Sequence, residues 1–163
     1  MINGNCRNTP VEVFETRHPW GVQALTLVQD SGEAGRHRGG LGLERIFEAL
    51  VDGITISEFA DRTETEPWGL FGGTSGMSGS TLVRQPGDDR FRTTRELFGT
   101  ASNTKFSGIR LNCGDQVLLR SGGGYRDPRE RPRELVDDDV AEGFVGHEAA
   151  QELYGRGNLT ERE

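Results

Sequence analysis

The distribution of glycine is the feature of this sequence that most constrains its fold. The chain has 24 glycines among 163 residues, about twice the average frequency, and thirteen of them fall in three short runs. The runs are Asp30–Gly42, Trp68–Gly79 and Ser121–Tyr125. Glycine in a folded chain costs backbone entropy, so it is kept where φ is positive or where backbone lies close to backbone or to a ligand. The runs therefore predict packed irregular structure rather than slack linkers.

Length and composition indicate one domain with a modest core. A chain of 163 residues is large enough to bury a core and short enough to form a single domain. Its hydrophobic fraction of 33% and mean hydropathy of -0.61 are low for a self-sufficient domain, so we expect part of its apolar surface to be covered by a partner. We predict one domain over residues 1–155 and a flexible tail over residues 156–163.

Charge and cysteine content exclude several classes of function. A net charge of -7 argues against a general nucleic-acid binder. Two cysteines, Cys6 and Cys113, are too few for a disulfide framework or a four-thiolate zinc site. No apolar run approaches the roughly 20 residues that span a bilayer, and no signal-peptide pattern is visible. We expect a cytoplasmic protein without nucleic-acid or membrane partners.

The apolar pattern predicts a mainly β structure with two hairpins. Leu41–Leu50 fits both strand and helix spacing, but the turn signal at Val51–Gly53 and the alternation of Ile54–Phe59 favour a hairpin. A second hairpin is predicted from Phe106–Leu111 and Gln116–Arg120.

The remaining segments are predicted as short elements. We expect strands at Val11–Phe14, Val22–Val28 and Thr81–Arg84, an exposed excursion over residues 90–105, and helices over Glu134–Ala141 and His147–Tyr154, the last stopped by Gly155.

The order of several sequence blocks resembles one known family. The blocks are Asn8–Val13, Asp30–Gly42, Pro67–Gly73 (Pro-Trp-Gly-Leu-Phe-Gly-Gly), Lys105–Asp115, Gly122–Pro128, Glu134–Val145 and Glu148–Gly155. Together they resemble the C-terminal part of the hydantoinase B/oxoprolinase family, which includes subunits of the ATP-dependent acetophenone and acetone carboxylases. The resemblance covers about residues 7–155.

The resemblance implies a fold and a set of partners. It implies a β-sheet, barrel-like fold with polyproline-II-like glycine-rich segments, which pack closely only where side chains are absent. It implies hydantoinase A-like ATP-binding subunits and a larger hydantoinase B-like subunit as partners. ATP and a divalent metal are expected in those partners, with no cofactor bound by this chain.

The chain also departs from the family pattern. The first part of a full-length hydantoinase B protein does not precede the Asn-Thr-Pro block, so the sequence looks like a separately encoded small subunit or an excised domain. The family's metal-ligand and substrate-proximal residues lie mostly in that first part. We therefore assign no catalytic residue and no metal ligand here. In the last glycine run Arg126 stands where a glycine is usual.

Two groups of residues are candidate binding sites. Arg36, His37 and Arg38 lie between glycines and could bind phosphate or bicarbonate with a nest of backbone N–H groups; a solvated loop is the favoured alternative. Trp68, Leu70, Phe71 and Met77 form an apolar cluster that fits a local core or the centre of an interface equally well. The acidic run Asp137–Asp139 is expected to be a solvated helix face.

Three functions are open at this point. The first is an accessory, non-catalytic subunit of an ATP-dependent carboxylase resembling acetophenone carboxylase, which joins a ketone and bicarbonate into a 3-oxo acid. The second is part of an ATP-dependent hydantoinase or 5-oxoprolinase, which hydrolyses cyclic amides. The third is a free-standing β-rich binding module.

Overall fold

The computed structural model of the chain describes residues 9–61, 63–120 and 128–155. In chain order the elements are α1 (Val11–Arg17), β1 (Trp20–Val28), β2 (Gly42–Ala49), β3 (Ile54–Phe59), β4 (Ser80–Arg84), β5 (Arg92–Thr93), α2 (Thr94–Phe98), β6 (Lys105–Leu111), β7 (Gln116–Arg120), a 3-10 turn (Pro128–Glu130), α3 (Arg133–Ala141) and α4 (His147–Glu152). The predicted mainly β class is confirmed.

The strands form two antiparallel sheets. One has the order β1-β2-β7-β4-β5, and the other pairs β3 with β6. The core between them is made by Ala49, Val83, Ile109, Leu111 and Val117. The larger sheet ends at β1 and β5, so the described strands do not close, and the predicted barrel-like arrangement is not found among them.

The two predicted hairpins are wrong in their pairing, although their strands exist. β2 pairs with β1 and β7, and β3 pairs with β6. The turns at Val51–Gly53 and Asn112–Asp115 are corners through which the chain passes from one sheet to the other. The Gly53 N–H donates to the Leu111 carbonyl at 2.8 Å, and the Gly114 N–H donates to the Ala49 carbonyl at 2.8 Å. Both glycines have positive φ, which suits such tight corners.

The segment predicted as a strand at Val11–Phe14 is instead helix α1. Pro10 precedes it, Glu12 lies in its first turn and Arg17 in its last, an order of charges that favours a helix. The Phe14 ring packs 5.4 Å from the Phe47 ring. Tertiary packing of Phe14 therefore outweighs the β preference of the local sequence.

The C-terminal helices are confirmed within two residues at each end, and Gly155 has a φ of +68°. The excursion predicted as exposed over residues 90–105 is in part wrong. It contains β5 and α2, and Thr94 and Thr104 within it are fully buried. Thr94 donates a hydrogen bond to the Asn103 carbonyl at 2.8 Å, which holds the segment against itself.

The first two glycine runs pack against each other. The Thr74 N–H donates to the Ala34 carbonyl at 3.1 Å, and the Ala34 N–H donates to the Thr74 hydroxyl at 2.9 Å. The first run also holds the C-terminal helices, because the Asp30 carboxylate accepts from the Gly146 N–H at 2.7 Å. The third run and the predicted tail lie outside the described residues, and polyproline-II character stays a prediction.

Candidate functional site

A cavity of about 250 Å³ lies between the two sheets. We call it the inter-sheet cavity. Its walls include four aromatic side chains, Phe14, Trp20, Phe47 and Phe106. The Trp20 and Phe47 rings meet edge to face with their centroids 6.2 Å apart. The lining is thus mostly apolar, as is usual for sites that bind small molecules.

Glu58 brings a carboxyl group to the edge of this cavity. It lies on β3 in register with the inward-facing Ile54 and Ile56, at a position where strand alternation calls for an apolar side chain. Its Oε1 accepts a hydrogen bond of 2.6 Å from the hydroxyl of Thr81, which is 3% exposed on β4. Its Oε2 is buried and has no hydrogen-bond partner among the described residues. The carboxyl group therefore joins the two sheets through one oxygen and leaves the other unsatisfied.

A β-bulge sets the position of Glu58. Ile56 pairs with Ile109 and Glu58 pairs with Phe106, so one residue of β3 faces two residues of β6. Gly108 provides the extra residue with a φ of +77°, and its N–H donates to the Ser57 hydroxyl at 3.1 Å. Bulges re-aim neighbouring side chains and are frequent beside functional sites.

The environment of Glu58 changes its acidity. Burial raises the pKa of the Glu58 carboxyl above its ordinary value, and the hydrogen bond from Thr81 partly offsets this. The group can therefore hold a proton to higher pH than a free glutamate, or bind a cation or another donor through its unsatisfied oxygen.

The sequence analysis did not select Glu58, although a signal was present. In Ile54-Thr-Ile-Ser-Glu-Phe59 the strict alternation places residue 58 on the same face as the two isoleucines. A glutamate there interrupts the apolar face, and Phe59 beside it points outward with 79% of its surface exposed. The functional meaning of that interruption depends on Thr81 and Phe106, which are distant in sequence.

The predicted anion-binding residues Arg36, His37 and Arg38 lie in the first glycine run, with their side chains in different environments. Arg36 and His37 are exposed, and Arg36 lies 3.9 Å from the exposed Glu130 carboxylate. Arg38 is largely buried and lies 3.2 Å from the Asp139 carboxylate. An acidic partner thus already balances Arg38, and anion binding at this run stays a prediction.

Asp139 corrects the expectation of a solvated acidic face. It is 7% exposed, and Arg131 lies 2.8 Å and Arg38 3.2 Å from its carboxylate. The three charged groups join the first glycine run to α3. Because burial of a charge is costly without a partner, this cluster holds the helices in place as a unit.

The predicted interface residues lie in the second glycine run and are mostly exposed. Trp68 is 66%, Leu70 47% and Phe71 77% exposed, whereas Met77 is half-buried. We call Trp68, Leu70 and Phe71 the apolar loop. Its residues lie close together in sequence and face solvent on an irregular segment, so they do not form a local core.

The backbone of the apolar loop is held in a specific shape. Phe71 has a φ of +52°, a left-handed conformation that costs energy for an aromatic residue. A Cβ atom at Gly69 would overlap the backbone of Gly73. The loop therefore presents its aromatic side chains from a fixed conformation, in which Gly69 cannot be replaced.

Neither a metal site nor a membrane-spanning helix is found in the described part of the chain. Within residues 9–61, 63–120 and 128–155, no group of three or more His, Cys, Asp or Glu side chains is placed to hold a metal ion. In the same residues no helix has the length and apolar character needed to cross a membrane.

Comparison with known proteins gives a consistent family. Residues 1–128 match the Hydantoinase B/oxoprolinase family. An uncharacterised protein of Methanocaldococcus jannaschii is 35% identical over 90% of this chain and 24% of its own length. A protein of Pseudomonas sp. strain NS671, provisionally assigned as the B-type component of a D-/L-hydantoinase, is 33% identical over 94% of this chain and 25% of its own length.

Two solved structures share the fold. The ATP-dependent caprolactamase of Pseudomonas jessenii superposes with a TM-score of 0.72 at 23% identity, covering 94% of this chain and 26% of that one. A nucleotide-free acetone carboxylase superposes with a TM-score of 0.69 at 20% identity, covering 90% of this chain and 23% of that one. The chain thus spans about a quarter of the length of the proteins that it matches.

Proposed function

Since the chain belongs to the hydantoinase B/oxoprolinase family, we propose that it is an accessory, non-catalytic subunit of an ATP-dependent complex of the hydantoinase type. The observation that carries this proposal is the apolar loop, in which Trp68, Leu70 and Phe71 are 47–77% exposed on a backbone fixed by glycine. Aromatic side chains held in this way are typical anchors at the centre of an interface. The proposed partners are a larger hydantoinase B-like subunit, which the loop contacts, and hydantoinase A-like subunits that bind ATP.

Association is tested by co-expressing the tagged chain with these candidate partners encoded in the same genome. Substitution of both Trp68→Ala and Phe71→Ala removes the aromatic anchors, so we expect recovery of the partners to fall by at least about tenfold. Leu135→Ala is the matched control, because Leu135 is 45% exposed on α3, outside the loop. Equal recovery with the double variant and the control would refute the loop as the interface.

The reaction of the complex is the finer part of the proposal. Cyclic-amide hydrolysis is favoured by the 33% identical relative that is assigned to a D-/L-hydantoinase. Carboxylation of a ketone with bicarbonate, as in acetophenone carboxylase, is the reaction that the sequence resemblance put first. The reconstituted complex would be given hydantoin, 5-oxoproline, or acetophenone with bicarbonate, and substrate-dependent ADP release would be measured. ADP release only with the ketone and bicarbonate would refute the cyclic-amide assignment.

A further inference from the structure

The inter-sheet cavity combines features that together select a ligand. Its volume of about 250 Å³ exceeds the 150 Å³ that accommodates benzene in an apolar protein interior. It therefore has room for one six-membered ring with a short substituent. A shallow groove shares Ser57, Glu58 and Phe106 with the cavity and gives it access to solvent.

The polar group at the cavity edge calls for a donor. Glu58 Oε2 is buried without a partner, whereas Oε1 is occupied by the Thr81 hydroxyl. Among the described residues no basic side chain lies within 4.0 Å of the Glu58 carboxylate; Lys105, at the shared groove, is instead 2.6 Å from Asp61. An unpaired buried carboxylate oxygen is unfavourable, and a ligand that donates to it removes that cost.

The aromatic walls narrow the choice of donor. Phe14, Trp20, Phe47 and Phe106 surround the space beside Glu58. The faces of aromatic rings attract cations, most strongly where water is excluded. Arg45 already lies 5.6 Å from the centre of the Phe47 ring, which illustrates that this aromatic group accepts a positive charge.

We propose that the inter-sheet cavity binds a small organic ammonium ion, with its ammonium group paired to Glu58 Oε2 and its hydrocarbon body among the aromatic rings. The site is independent of the apolar loop, since none of the cavity residues belongs to the second glycine run. Binding here would place a ligand between β3–β6 and the larger sheet, and would join the two through Glu58 and Thr81.

The test uses benzylammonium and benzyl alcohol as probes of nearly equal shape, titrated into the full 163-residue chain by calorimetry. Intrinsic fluorescence follows the same titration, because Trp20 lines the cavity. We expect benzylammonium to bind at least about tenfold more tightly than benzyl alcohol, because only the cation forms a charge-assisted hydrogen bond. Equal affinity of the two probes, or no binding of benzylammonium, would overturn the proposal.

Substitutions at residue 58 locate the site. Glu58→Gln keeps the size of the side chain and removes the charge, so benzylammonium should lose its advantage over benzyl alcohol. Glu58→Leu gives the same expectation and is a second variant if the amide perturbs folding, which thermal melts would reveal. Glu148→Gln is the control, because it removes one exposed carboxylate on α4. Unchanged benzylammonium binding in both variants at residue 58 would show that the cation binds elsewhere.

Discussion

Glu58 occupies an inward-facing strand position between two sheets, and this has a consequence for stability. Burial raises the pKa of its carboxyl above the ordinary 4.5, so the folded protein binds its proton more tightly than the unfolded chain does. The stabilisation from that proton is fully present below the unfolded pKa and is lost as the pH rises through the folded pKa.

Glu58→Gln should therefore remove this loss. We expect the variant and the unaltered protein to melt at similar temperatures in mildly acidic buffer near pH 4.5, and the variant to be the more stable above neutral pH. Thermal melts across this pH range measure the difference between the two proteins. A difference that stays constant with pH would contradict a raised pKa at Glu58.

Asp139 is the second residue whose charge depends on its surroundings. Its side chain is 9% exposed and is flanked by the equally sequestered Arg131 and Arg38. Asp139→Asn would leave two buried guanidinium groups without a counter-charge, so we expect a loss of about 3 kcal/mol in the free energy of unfolding. Urea denaturation followed by circular dichroism measures this loss.

Glu130→Gln is the matched control for Asp139→Asn. It breaks the pair of Glu130 with Arg36, whose side chains are about half exposed, and exposed pairs contribute little. Comparable losses in the two variants would mean that burial of the Asp139 cluster has no energetic weight.

At the level of elements, the β3–β6 bulge is the irregularity that positions the cavity edge. Gly108 takes a φ of +77° there, a conformation that costs an alanine about 1 kcal/mol. We expect Gly108→Ala to lower the free energy of unfolding by that amount and to shift the amide NMR signals of Ser57 and Glu58.

Gly40→Ala supplies the comparison for Gly108→Ala. A Cβ atom at Gly40 would meet no other atom within 4 Å, and its φ is outside the left-handed region. The Gly40 variant should be as stable as the unaltered protein or slightly more stable. If both alanine variants behave alike, the bulge is not strained in the way described.

The sequence predicted elements better than it predicted their pairing. Local alternation identifies β2, β3, β6 and β7, because each strand carries its own period of two. The choice of partner depends on contacts across the chain, and the Gly53 and Gly114 corners resemble hairpin turns in sequence. A positive φ at a tight bend predicts a change of direction, but it does not say to which sheet the chain goes next.

For the whole molecule, the glycine runs act as connecting structure. The first run packs on the second through Ala34 and Thr74 and holds α4 through Asp30 and Gly146. Sequence analysis anticipated that the runs are packed, since glycine density alone implies close backbone approach. It did not anticipate that Asp139 completes the connection or that Glu58 faces a cavity, because both depend on residues far away in sequence.

The same scale decides the function, since the chain belongs to the hydantoinase B/oxoprolinase family and matches about a quarter of its relatives' length. The measurement that tests the proposed role most directly is a tagged purification from the native host, with mass spectrometry and sizing of what co-purifies. The account predicts recovery in a large complex with a hydantoinase B-like chain and ATP-binding hydantoinase A-like chains. Recovery of this chain alone as a monomer would contradict it and would favour the free-standing binding module.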